Sequence, residues 1–194
     1  MSNAVTIRRP APAVLADLIP QSLTRDIALV AGSAGLVGLM AQVSIHLTFT
    51  PVPITGQTLA VLLCGTALGL RRAAVALSLY AAAGVLGVPW FAGHASGYVG
   101  ASFGYIVGFV FAAAMCGYLA ERRADRSVFR SIPAMIAAEI VMYAIGVGWL
   151  AVDLRVGAGK AIALGLTPFL VGDAIKAAIA AIVLPSAWRL TSGE

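Results

Sequence analysis

Three ionisable residues of this 194-residue chain sit inside apolar stretches: Glu139, Asp173 and Lys176. A charged group within a lipid-spanning segment is costly to hold, and its presence points to a role. Asp173 and Lys176 are three residues apart, so on a helix they share a face. If that helix starts near Pro168, a favoured first-turn residue, Asp173 lies about 8 Å and Lys176 about 12 Å below the outer interface, at ~1.5 Å per residue. A solute from outside reaches that depth. The lysine would hold an anionic group, and the aspartate would accept hydrogen bonds from ligand N–H groups. A self-neutralising ion pair is the structural alternative, but apolar side chains would have packed there as well or better. Glu139 falls near mid-depth of its own stretch. A hydrogen-bonded structural carboxyl and a proton relay are both open for it, and the first is favoured.

Two outer loops could complete a site around the pair. The first reads TPVPITGQT over residues 50–58. Two prolines stiffen it, Thr55 offers a hydroxyl, and Gln57 offers both donors and acceptors. The second runs from Pro89 to Tyr105 and holds Trp90, Phe91, His94, Tyr98, Ser102 and Tyr105 among glycines. Aromatics in that setting suit an interfacial belt or a lid over a ligand. His94 has no second ligand near it in sequence, so a solvated or lid role fits it better than a metal site. Cys64 and Cys116 lie in apolar runs without a CxxC or histidine partner and read as buried thiols. No Walker A, HExxH or GxSxG pattern occurs. The chain therefore reads as a transport protein without cofactor or metal, and any ATP hydrolysis falls to partner subunits.

The elements that must position these residues are membrane helices. The chain is 60% hydrophobic and 11% charged, against roughly 25% charged in soluble domains, and its mean hydropathy is +0.95. From Ile27 to Leu70, and again from Ala73 to Ala120, no residue is charged. A span needs about 20 residues, so each run holds two spans and a turn. The turns are marked by Pro51 and Pro53, and by the Pro89–Gly100 segment. Spans two and three, roughly 55–70 and 73–88, are short for a crossing. A fifth stretch runs from Ile132 to Val152 and a sixth from about Pro168 to Trp188. The expectation is an all-α integral membrane bundle of six transmembrane helices. It divides into an N-terminal arm at 1–25 that ends in a short interfacial helix, a bundle at 26–190 and a tail at 191–194.

The net charge of +5 does not point to nucleic acid. Its cations flank apolar runs and do not interleave with aromatics on one face. With the N-terminus inside, the inner segments carry Arg8, Arg9, Arg25, Arg71, Arg72, Arg122, Arg123, Arg126, Arg130 and Arg189. The outer segments carry only Arg155 and Lys160. That bias sets both termini in the cytoplasm. Small residues recur at four-residue spacing on the first helix: Ala28 with Gly32, and Ala31 with Gly35. Such faces let helices approach closely, either within the chain or against a partner subunit. The fourth helix repeats the pattern with Gly100, Gly104 and Gly108.

Five segments carry a resemblance to a known family: Pro51–Gln57 (PVPITGQ), Gly87–Gly93 (GVPWFAG), Gly104–Phe109 (GYIVGF), Tyr143–Leu150 (YAIGVGWL) and Phe169–Lys176 (FLVGDAIK). In that order they look like BioY, the biotin-binding S component of energy-coupling factor (ECF) transporters. The resemblance implies a six-helix S-component fold in a bacterial cell membrane. It implies capture of biotin from outside, with a transmembrane T component and ABC-type ATPases as partners. The family's Asp-x-x-Lys falls on Asp173 and Lys176, its loop glutamine on Gln57, and its Gly-Tyr on Gly104 and Tyr105. Tyr143 lies in a matched segment. The chain departs from the family at the second outer loop, where it has His94 and no arginine. Biotin's ureido group, carboxylate and apolar ring suit Asp173, Lys176 and Gln57 for the polar parts, and Trp90, Phe91 and Tyr105 for the rest. The rival readings are an S component for another small vitamin and a proton-coupled carrier using Glu139 and Asp173.

Overall fold

The structure, a computed structural model, describes residues 12–192. Arg8, Arg9 and the rest of residues 1–11 of the expected arm lie outside the described residues, as do the last two residues of the tail. The described chain is almost wholly helical. Its helices are α1 (Leu23–Gln42), α2 (Gln57–Leu68), α3 (Leu70–Val85), α4 (Phe103–Ala120), α5 (Val128–Asp153), α6 (Ala158–Gly165) and α7 (Leu170–Ser192). By length and composition α1, α4, α5 and α7 can each cross a membrane. With the shorter α2 and α3 they make the expected six-helix bundle. The helix α6 was not foreseen. Its sequence, AGKAIALG, follows Gly157 and ends at Gly165, and in sequence it reads as outer loop.

Local chemistry sets the helix ends. The Ser22 hydroxyl caps α1 by accepting the Arg25 N–H at 3.1 Å. Helices α2 and α3 are joined through Gly69 alone, at φ +81°, a left-handed conformation that glycine adopts without strain. The Glu121 carboxylate accepts the Leu70 N–H at 2.9 Å, which satisfies an orphan donor of α3 and opposes the positive end of its dipole. Helix α4 crosses that corner with no room for a side chain. A Cβ on Gly117 would stand 2.4 Å from the Gly69 carbonyl carbon, and one on Gly65 would stand 2.8 Å from Ala113 Cα.

Helix α2 is short for a reason the structure supplies. The first outer loop folds inward as a hairpin, with β1 (Ser44–Ile45) antiparallel to β2 (Ile54–Thr55). The Thr50 hydroxyl pins its tip by donating to the Leu164 carbonyl at 2.8 Å. Helix α2 therefore starts inside the bundle, with Gln57 and Thr58 buried. Its 12 residues cover only about 18 Å at ~1.5 Å per residue.

At the cytoplasmic end, residues 12–25 pack against the bundle. Leu15–Leu18 form a 3₁₀ turn, with Val14 and Ala16 buried. The buried Arg25 guanidinium donates to the Ile19 carbonyl at 2.6 Å and to Asp26. Arg72 meets Asp17 at 3.0 Å. On α4, Gly104 and Gly108 face α5, against Trp149 and the Met142 backbone, so that series serves internal packing. Ala28, Ala31, Gly32 and Gly35 on α1 face outward and are exposed. A Cβ on Gly32 or Gly35 would meet nothing within 4 Å.

Candidate functional site

A cavity of about 180 Å³ lies at the outer side of the bundle, under the two outer loops. Its floor is polar and comes from α2, α5 and α7. Asp173 sits in the first turn of α7, where the macrodipole favours an anion, and its N–H donates to the Phe169 carbonyl at 2.8 Å. The residue is buried, at 4% exposure. One carboxylate oxygen accepts from the Thr58 hydroxyl at 2.9 Å and from Lys176 Nζ at 2.8 Å. The other accepts from the Tyr143 hydroxyl. A carboxylate has about four lone-pair sites, so one remains for a ligand donor.

Lys176 is fully engaged. Besides Asp173 it donates to the Thr55 carbonyl at 2.6 Å and to the Thr58 hydroxyl at 2.8 Å. An ammonium has three N–H donors, and each has a protein acceptor here. Gln57 is not saturated. Its Nε2 donates to the Tyr80 hydroxyl at 2.7 Å, and its Oε1 accepts from the Thr55 hydroxyl at 3.1 Å. One amide N–H is left over.

The walls are aromatic and apolar. Tyr105 stands edge-on to Tyr143, with ring centroids 6.3 Å apart, and its hydroxyl donates to the Gly165 carbonyl at 2.7 Å. That bond ties the wall to α6. Phe91 packs edge-on against Tyr80 at 5.4 Å, over Gly84, where a Cβ would collide with its ring. Ser102, Met142 and Phe169 also line the cavity.

Of the residues singled out in sequence, the structure brings eight to this cavity: Thr55, Gln57, Phe91, Ser102, Tyr105, Tyr143, Asp173 and Lys176. Trp90 and His94 are not in its lining. Trp90 faces away and braces the second outer loop. Its indole N–H donates to the Tyr80 carbonyl at 3.0 Å, and its Cβ lies 3.1 Å from where a Cβ on Gly38 would be. His94 is exposed, at φ +59°, with its backbone N–H on Gln42 Oε1.

Sequence reasoning missed His46, Tyr80 and Gln42, and placed Thr58 only within the first outer loop. Gln42 acts from outside the cavity: its Nε2 donates to the Trp90 and Phe91 carbonyls, both at 3.1 Å. Glu139 lies apart, in a mostly apolar groove between α5 and α7 that Tyr143 and Asp173 also border. One of its oxygens is buried without a hydrogen-bond partner. Among the described residues no cluster of His, Cys, Asp and Glu could hold a metal ion.

Comparison with known proteins adds the following. A family model described as the BioY family matches residues 8–193. The biotin transporter BioY of Rhizobium etli is 36% identical over 173 aligned residues, covering 82% of this chain and 91% of the relative. Biotin transporter BioY2 of Lactococcus lactis is 33% identical, covering 81% and 86%. Biotin transporter BioY of Thermotoga maritima is 34% identical, covering 76% and 86%. A crystal structure of the S-component for biotin from an ECF-type ABC transporter superposes with a TM-score of 0.77. That superposition covers 88% of this chain and 95% of the other at 20% identity, which establishes the shared fold.

Proposed function

Because the chain belongs to the BioY family, we propose that it is the membrane subunit that captures biotin from outside the cell for uptake. It is a transport protein of the bacterial cell membrane and not an enzyme. The observation that carries the site assignment is the buried carboxylate of Asp173, held by three protein donors with one acceptor position open to the cavity. Biotin's ureido group offers two N–H donors and one carbonyl. Asp173 accepts one of those N–H groups, and the unused amide N–H of Gln57 meets the carbonyl. A few convergent polar groups in an apolar pocket make a tight small-molecule site. The bicyclic ring then packs against Phe91, Tyr105 and Tyr143.

For release inward, the chain works with a transmembrane T component and ABC-type ATPases. The outward small-residue face of α1, at Ala28, Ala31, Gly32 and Gly35, supports a docking role there, because it is exposed and none of the described residues covers it.

The test is direct binding by the detergent-purified protein to a panel of small vitamins, with identification of whatever co-purifies. Biotin binds, and the others do not compete. Equal or tighter binding of a different vitamin overturns the assignment. Uptake that needs no ATPase subunits and collapses with an uncoupler favours a proton-coupled carrier instead.

A further inference from the structure

We propose that His46 is the residue that receives the ligand's carboxylate, and that it sets the preference for an acid over its neutral derivatives. The inference rests on the biotin reading above. Tyrosines aside, the ionisable residues lining the cavity are Asp173, Lys176 and His46. Asp173 repels a carboxylate. Lys176 has its three donors on Thr55, Thr58 and Asp173. Turning it to an anion would break one of those bonds and loosen the hold on Asp173, whose buried charge needs that partner.

Depth separates the two ends of the ligand in the same sense. The floor groups Asp173 and Gln57 are 4% and 5% exposed, whereas His46 is exposed at the cavity's edge. A ligand anion is cheapest to bind where water still reaches it, and an uncharged hydrogen-bonding head is cheapest to bury.

The backbone fixes His46 there. The β1–β2 register pairs Ser44 with Thr55 and Ile45 with Ile54, so His46 is one residue beyond the ladder, beside the stiff Pro51–Pro53 segment. A Cβ on Gly93 would lie 3.7 Å from His46 Cε1, so the imidazole stands between the two outer loops. Either ring nitrogen can present an N–H to a carboxylate.

The experiment compares biotin with its methyl ester, which keeps the ring and ureido group and lacks the charge. Dissociation constants are measured for the unmutated protein, His46→Ala and Lys176→Met. A charge-assisted hydrogen bond contributes about 1.5–3 kcal/mol, so the unmutated protein prefers biotin by about tenfold or more. His46→Ala brings the two ligands to within about threefold by weakening biotin alone. Retained affinity for the ester shows that the variant is folded. Full discrimination in His46→Ala, or its loss only in Lys176→Met, overturns the inference. Failure of the unmutated protein to bind either ligand removes the biotin reading itself, and this inference with it.

Discussion

At the scale of single residues, the pair on α7 does two jobs that one charge could not do alone. In the proposed site Asp173 is the group a ligand N–H meets, while Lys176 neutralises it and orients it through the shared Thr58 hydroxyl. Removing one partner of a buried pair leaves the other uncompensated, at a cost of about 3–5 kcal/mol, whereas removing both together is close to neutral. Asp173→Asn is therefore expected to lower the unfolding midpoint of the ligand-free protein more than the double variant Asp173→Asn/Lys176→Met does. Both variants lose biotin affinity by about tenfold or more, because the acceptor is gone in each. Thermal unfolding and ligand titration on the same samples check this. A double variant less stable than Asp173→Asn would mean that Lys176 serves the fold independently of the pair.

At the scale of elements, glycines decide which helices can approach. Gly117→Ala forces a Cβ against the Gly69 backbone, which cannot yield as a flexible side chain would. The expected loss is about 1–3 kcal/mol, as for overpacked cores. Gly32→Ala meets open space and is expected to be neutral or stabilising by up to ~1 kcal/mol. A second element-scale prediction concerns the α4–α5 turn. Asp125 is buried there, with Trp188 Nε1 donating to one oxygen and Arg126 Nε 3.6 Å from the other. Burial raises its pKa above the usual carboxylate value. The folded state thus holds this proton more tightly than the unfolded state, and its ionisation costs stability as pH rises through that window. Asp125→Asn keeps an acceptor for Trp188. Its midpoint relative to the unmutated protein should rise from pH 4 to pH 7.5, and an unchanged difference would show that Asp125 ionises in the fold at no cost.

Six helices, their orientation and the α7 pair were legible in sequence because each depends on local rules: charge-free length, arginine placement, and three-residue spacing on one face. The inward hairpin was not legible. A loop's depth is set by contacts distant in sequence, such as Thr50 with Leu164. Trp90 and His94 were read from residue type alone. Their orientation depends on Gln42, which clamps the loop backbone across about half a hundred residues of sequence and carries no motif. His46 went unread for the same reason, since only the β1–β2 register brings it to the cavity.

At the scale of the whole molecule, capture and release make different demands. Capture needs the rigid outer half: the pinned hairpin, the Gln42 clamp, and α6 tied to Tyr105 and Thr50. Under the proposed function, inward delivery needs a partner, and α1 presents a face that would suit one. The outward small residues of α1 line up at four-residue spacing and are uncovered. In lipid, close backbone approach is the main source of helix association, so such a face loses its value once it carries bulk. The Ala28→Leu/Gly32→Leu variant points its new side chains away from the core and from the cavity. It is expected to bind biotin within about twofold of the unmutated protein, since surface changes remote from a site rarely exceed ±0.5 kcal/mol. Its co-purification with a T component and ATPase subunits, and ATP-dependent uptake in reconstituted vesicles, should fall at least several-fold. Loss of biotin binding would place the defect in the fold, and undiminished uptake would move the docking surface to another helix.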